Sequence, residues 1–182
     1  MEADAILGAT RTDADLASAG DRAAFGRLVV AHNRSMERVA YVIVGDAHAA
    51  QDAVQSAWLT AWQRIPNLRE PGRVGAWLVA IAANEARQLA RKRQRRSVRE
   101  LDLEATSATR HEPTVATEGI ARLDLVAALR RLRPEDRELL ALRYVAGFDA
   151  AELGRLTGRS ASGVRGRLSR LTSNLRKDLT HG

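Results

Sequence analysis

From Asp21 onward the apolar positions fall into helical step. Phe25, Leu28, Val29, Met36, Val39, Ala40 and Ile43 recur at three- and four-residue intervals, which predicts one buried helical face. Asp21 stands where an N-cap is wanted, and Gly45-Asp46 both stops this helix and caps the next. A second stripe of Ala50, Val54, Ala57, Trp58, Ala61, Trp62 and Ile65 predicts a helix from about Ala47 to Ile65, ended by Pro66. Its opposite face carries Gln51, Asp52, Gln55 and Ser56. Beyond the loop Asn67–Gly72, a third helix is predicted from about Arg73 to Arg96. Its first half is apolar (Val74, Trp77, Leu78, Ile81, Ala82) and its second half basic (Arg87, Arg91, Lys92, Arg93, Arg95, Arg96). Three matching stripes make a compact bundle over residues 21–97.

The period is then lost. Glu, Ser, Thr and Pro113 intermix, and residues 98–118 read as a flexible linker. Residues 1–20 form a weakly patterned N-terminal segment with one short helix around Asp13–Ala19, ended by Gly20. A second unit spans 119–182. Leu123, Val126, Leu129 and Leu132 mark its first helix. Leu139, Leu140, Leu142 and Val145 mark the next, which begins at Pro134 and is stopped by Gly147. Two short helices follow, joined by the turn Thr157-Gly158-Arg159, and Val164, Leu168, Leu171 and Leu175 form the buried stripe of the last. The fold class is therefore all-α: two small helical domains joined by a linker.

Composition agrees and narrows the partners. Of 182 residues 45% are hydrophobic, enough for a packed core, while aromatics make up 4%. The net charge of +7 suits a polyanion. With no cysteine, disulfides, thiolate-bound zinc and thiol catalysis are excluded. The acidic start Met1-Glu2-Ala3-Asp4 lacks a secretory pattern, and no apolar run nears the roughly 18 residues of a membrane span. A cytoplasmic protein without membrane insertion is expected.

The last two helices read as a helix-turn-helix, the second of which can enter a DNA major groove. With Val164 and Leu168 inward, Ser162, Arg165, Gly166, Ser169 and Arg170 point outward. Arginine can take guanine O6 and N7 together. Small Gly166 permits close approach, and Ser160 and Ser162 lie at the helix start, where backbone N–H groups favour phosphate. The basic run of the third helix is a second candidate DNA surface. Trp58, Trp62 and Trp77 sit on apolar stripes and are read as core rather than as base-stacking platforms. His32, His48, His111 and His181 are scattered and no phosphate-binding glycine loop is present; no catalytic residue, metal ligand or cofactor is expected, and the chain is not read as an enzyme.

Together the two halves resemble the extracytoplasmic-function group of bacterial RNA polymerase sigma factors, in the sigma-70 superfamily. The first half resembles sigma region 2 through Gly45-Asp46, Ala50–Trp62, Gly75–Asn84 and the basic tail to Arg96. The second resembles region 4 through Leu132–Tyr144 and the helix-turn-helix. The resemblance covers about three-quarters of the chain. It departs from the family pattern at Gln51, Val74-Gly75 and Ser162-Gly163-Val164.

The resemblance implies a transcription initiation factor that binds core polymerase, directs it to promoters and aids DNA opening. Tyr41, Asp52 and Gln55 would meet the β′ clamp helices, with the β subunit a further contact. Asn67, Arg69, Asn84, Arg87, Arg91 and Lys92 would engage the −10 element. Ser160, Ser162, Arg165, Gly166, Arg167, Ser169 and Arg170 would read the −35 element. The free protein would be a monomer, and an anti-sigma factor is a further partner the resemblance allows. The competing readings are a stand-alone helix-turn-helix regulator and a protein that binds polymerase and blocks initiation.

Overall fold

A computed structural model of the protein describes residues 12–103 and 120–180. The first eleven residues, the linker from 104 to 118 with His111 and Pro113, and His181 lie outside the described residues, as do the side chains of Arg99, Leu123 and Val126.

Helix α1 spans 12–18 and α2 spans Arg22–Val44. Asp21 caps α2: its Oδ1 accepts the N–H groups of Ala23 and Ala24 at 2.8 and 3.0 Å. Gly45 closes α2 at φ 73°, a left-handed conformation that costs a side-chain-bearing residue energy, and donates to the Tyr41 carbonyl. One residue on, Asp46 caps α3 (Ala47–Arg64) by accepting from Ala49 N at 2.8 Å.

Two short 3-10 turns, Ile65–Asn67 and Pro71–Arg73, lead into α4, Val74–Leu103. The sequence pattern predicted an end near Arg96 and a linker from 98, whereas the helix runs on to Leu103. Losing the apolar stripe removes burial, not helix propensity: residues 76–103 hold no glycine or proline and are rich in Ala, Leu, Arg, Gln and Glu.

The core of this bundle is rich in alanine. Ala24, Leu28, Met36 and Ile43 of α2 meet Ala53, Ala57 and Ala61 of α3 and Leu78, Ala82 and Ala86 of α4, all buried. Ser18 joins α1 to the end of α3, its hydroxyl 2.8 Å from the Ala14 carbonyl and 2.9 Å from that of Ile65. The tryptophans are less buried than the stripes suggested. Trp58 is half-buried, with its indole N–H given to Asn33 Oδ1 at 2.9 Å, and Trp62 lies at the exposed rim. The Phe25 ring packs edge-on against both, with centroids 5.6 and 4.9 Å apart.

In the second unit α5 spans Ile120–Arg131 and α6 spans Pro134–Leu140; α6 widens into a π turn over Ala141–Val145. Proline at the first position of α6 loses no hydrogen bond there. α7 (Ala150–Thr157) begins with a capping box: Asp149 Oδ1 accepts Ala151 N and Glu152 N at 2.8 and 2.7 Å, and Glu152 Oε2 accepts Asp149 N at 2.8 Å. Gly158 turns the chain at φ 68° into α8, Ala161–Thr180.

The two units do not stand apart. α6 and the π turn pack on α2 and α4, and one buried cluster runs from Ala14 to Leu171 through Leu139, Leu140, Ala141 and Leu142. Arg130 donates to the carbonyl of Gly45 across this seam.

Candidate nucleic-acid interface

α7, its glycine turn and α8 place a row of side chains on open surface. Val164, Leu168 and Leu171 are buried, so Ser162, Arg165, Gly166, Ser169 and Arg170 face outward and are exposed. At Gly166 nothing lies within 4 Å of where a Cβ would stand, which leaves the helix flush on that side. Ser160 caps α8: its Oγ accepts Gly163 N at 3.1 Å and sits 3.2 Å from Ser162 Oγ. Arg167 departs from the row. Its Nε and Nη2 are given to Asp136 Oδ1 and Oδ2 at 2.8 and 2.6 Å, a bidentate pair that fastens α8 to α6.

The other predicted DNA residues lie around α4. Asn67 and Arg69 are exposed in the segment before it. Asn84, Arg87 and Arg91 share one face, as positions three and four apart must. Arg87 Nη2 is given to Asn84 Oδ1 at 2.5 Å and its Nε lies 3.2 Å from Glu138 Oε2; Arg91 pairs with Glu135. Lys92 is exposed. Arg91, Lys92, Arg95, Arg96 and Arg133 line a cleft of about 1200 Å³ between the end of α4 and the start of α6, with Glu135 beside them.

The proposed polymerase-contacting residues lie on a separate face. Asp52 and Gln55 are exposed on α3, and Tyr41 is half-buried on α2. Asp52 also borders a groove of about 390 Å³ shared with Arg91 and Lys92, so the α3 and α4 surfaces adjoin.

The sequence pattern gives the acids of α6 no role. Asp136, Arg137 and Glu138 are all buried, and burial raises the Glu138 carboxyl from its ordinary 4.5 to about 7 against the pull of Arg87. No local signal marks them, since Glu138 and Glu135 meet Arg87 and Arg91 across more than forty residues of chain. His32 is packed against Gly75, where a Cβ would meet its ring at 2.9 Å, and burial lowers its pKa. Among the described residues no group of three or more His, Asp or Glu is placed to hold a metal ion.

The model of Sigma-70 region 2 matches residues 28–96, and that of Sigma-70, region 4 matches 122–171, together more than half of the chain. The ECF RNA polymerase sigma factor BldN of Streptomyces coelicolor is 32% identical over 82% of this chain and 58% of its own length. The chain belongs to the extracytoplasmic-function sigma factors of the sigma-70 family. The probable RNA polymerase sigma factor RfaY of Xanthomonas campestris pv. campestris is 33% identical over 98% of the chain. The chain spans about half the length of these two curated relatives, 46% for RfaY. Among solved structures, that of the sigma factor CnrH in complex with the cytosolic domain of CnrY superposes with a TM-score of 0.67 at 25% identity, covering 95% of this chain and 98% of CnrH. In the terms of this family, α2 to α4 carry the region 2 match and α5 to α8 the region 4 match.

Proposed function

We propose that the protein is a bacterial transcription initiation factor that binds core RNA polymerase and directs it to promoters carrying its own −10 and −35 elements. The observation that carries this reading is the pairing, on one chain, of a helix-turn-helix with Arg165, Ser169 and Arg170 outward and a helical bundle whose α4 presents Asn84, Arg87 and Arg91 on one face. Arg165 and Arg170 read base edges of the −35 element, while Ser160 and Ser162 meet phosphate at the start of α8. Arg167, bonded to Asp136, sets the angle of the recognition helix rather than reading a base.

On the bundle, Asn67, Arg69, Asn84, Arg87, Arg91 and Lys92 engage the −10 element and hold unpaired bases, at a cost of a few kcal/mol per unstacked step. Tyr41, Asp52 and Gln55 dock on the β′ clamp helices, and region 4 meets the β subunit. Two modules on one chain make the second DNA contact intramolecular, so individually weak contacts suffice. The protein performs no reaction of its own. It works in the cytoplasm, which agrees with the finding that no helix among the described residues is long and apolar enough to cross a membrane. The CnrH–CnrY complex supports an anti-sigma protein as a further partner.

Run-off transcription with bacterial core polymerase on pooled genomic promoters, with and without the protein, tests the reading. Discrete new transcripts are expected. Tight DNA binding by the protein alone, with no transcript, would replace it with a stand-alone regulator. Two substitutions test the faces. Arg165→Ala is expected to cost about 1–3 kcal/mol on the −35 element and little on other sequences; equal loss on all DNA would make Arg165 a phosphate contact. Asp52→Arg is expected to weaken co-purification with core polymerase, and unchanged co-purification would remove Asp52 from the docking face.

A further inference from the structure

The seam between the two units covers the α4 face assigned above to the −10 element, and what covers it is acidic. Glu138 reaches Arg87 at 3.2 Å and Glu135 pairs with Arg91. Two further contacts hold the same closure: Arg130 to the Gly45 carbonyl, and Arg73 to Glu152 at the start of α7. Beneath the charges, Leu139, Leu140 and Leu142 are buried in the shared core. The recognition face of α8 is left outside: Arg165, Ser169 and Arg170 remain exposed.

We propose that α6 is an internal stand-in for DNA, its Glu135 and Glu138 occupying the guanidinium groups of Arg91 and Arg87 so that the free protein masks its −10 face while still presenting its −35 face. A carboxylate and a DNA phosphate seek the same donors on arginine, so one excludes the other at each guanidinium. Arg91 and Glu135 remain partly open to solvent, so that ion pair is weak enough to be displaced. The buried leucines give the closure its strength, and the carboxylates give it its position on the basic face. The affinity of the free protein for single-stranded DNA is then reduced by the fraction of molecules that are open. This inference rests on the reading of Arg87 and Arg91 as DNA contacts.

The test uses the full chain with Glu135→Lys, which sets a like charge against Arg91 and leaves Glu138 in place. Because the chain has no cysteine, Gln63→Cys on α3 and Ser173→Cys on α8, both exposed, accept spin labels at two unique places and report the separation of the units. A mixed-sequence single strand of roughly 16 nucleotides is the DNA probe. A control variant, Asp15→Asn with Asp178→Asn, makes the same change in net charge at exposed sites away from the seam. The label separation is expected to lengthen and broaden in the Glu variant. Its affinity for the strand is expected to rise about tenfold if about nine molecules in ten are closed, and well beyond the control at the same salt. An unchanged separation, or an equal gain in the control, overturns the proposal. Lengthening without a gain leaves the contact standing but shows that the face beneath it does not bind DNA, which overturns the masking through the reading it rests on. Glu135→Gln, which removes the charge without reversing it, gives the same outcomes in smaller measure should the lysine disturb folding.

Discussion

Replacement of Gly154 by valine is expected to dismantle the helix-turn-helix while leaving the bundle of α2 to α4 folded. A Cβ at this position would stand 2.6 Å from the carbonyl oxygen of Arg159 and 3.5 Å from the amide nitrogen of Ala161. Both are backbone atoms of the turn, so no side-chain rotation relieves the clash. The turn is also held from this residue: the Gly154 carbonyl accepts Arg159 N at 3.0 Å. Overpacking by single methylenes costs about 1–3 kcal/mol, and here the added group must push α8 away from α7. A loss above about 3 kcal/mol is large for the roughly 60-residue second unit. Hydrogen exchange should show α7 and α8 losing protection while α2 to α4 keep theirs, and −35 binding should vanish. Gly166→Ala provides the contrast. That position is open and helical, so alanine should stabilise by about 0.5–1 kcal/mol yet weaken DNA binding if α8 lies flush in the groove. Equal stability of the wild type and Gly154→Val would show that the turn can widen freely.

Gly154 also shows where the sequence was legible. The helix starts and stops were, because capping is local chemistry: Asp21, Gly45-Asp46 and Gly158 act within three or four residues of where they stand. The helix-turn-helix and its outward arginines followed from the 100° step of a helix once Val164 and Leu168 were taken as core. The misplaced end of α4 has the opposite cause. Amphipathic period reports burial, and a helix that leaves its bundle keeps its hydrogen bonds after the period is gone.

The packing of region 4 on region 2 was the least legible feature. It depends on pairs more than forty residues apart, such as Arg91 with Glu135 and Arg73 with Glu152, and sequence spacing carries no information on which distant charges meet. The ion pair of Arg167 was hidden for the same reason. It stands about 200° round α8 from Arg165, on the flank that meets α6, and only the fold shows that Asp136 of that helix is its partner. A basic run therefore overstates the positive surface available to DNA when the same chain carries the acids that cover it.

Stability should fall as pH rises from about 5 to about 8, and Glu138 should be the cause. Burial raises its carboxyl from 4.5 to about 7; Arg87 and Arg91 from α4 pull it down and Glu135 beside it pushes it up. A carboxyl raised in the folded protein favours folding when protonated. Its contribution is whole below 4.5 and is lost as pH climbs through 7, by at most about 3 kcal/mol for a shift of this size. Asp46, Asp149 and Glu135 have the opposite sign. Their pKa values are lowered, so their contribution is present above the ordinary carboxylate range and disappears in acid, below the window in question. His32 does overlap it. Burial lowers its pKa, so its contribution is present above its ordinary 6.5 and lost as pH falls. The comparison of wild type with Glu138→Gln removes that overlap, since both proteins keep His32. Melting curves from pH 5 to 8 should show the variant gaining on the wild type as pH rises, because glutamine stays neutral where Glu138 must ionise beside the buried leucines. Two parallel curves would mean that Glu138 titrates as an ordinary carboxylate, and that the seam is open enough for water to reach it.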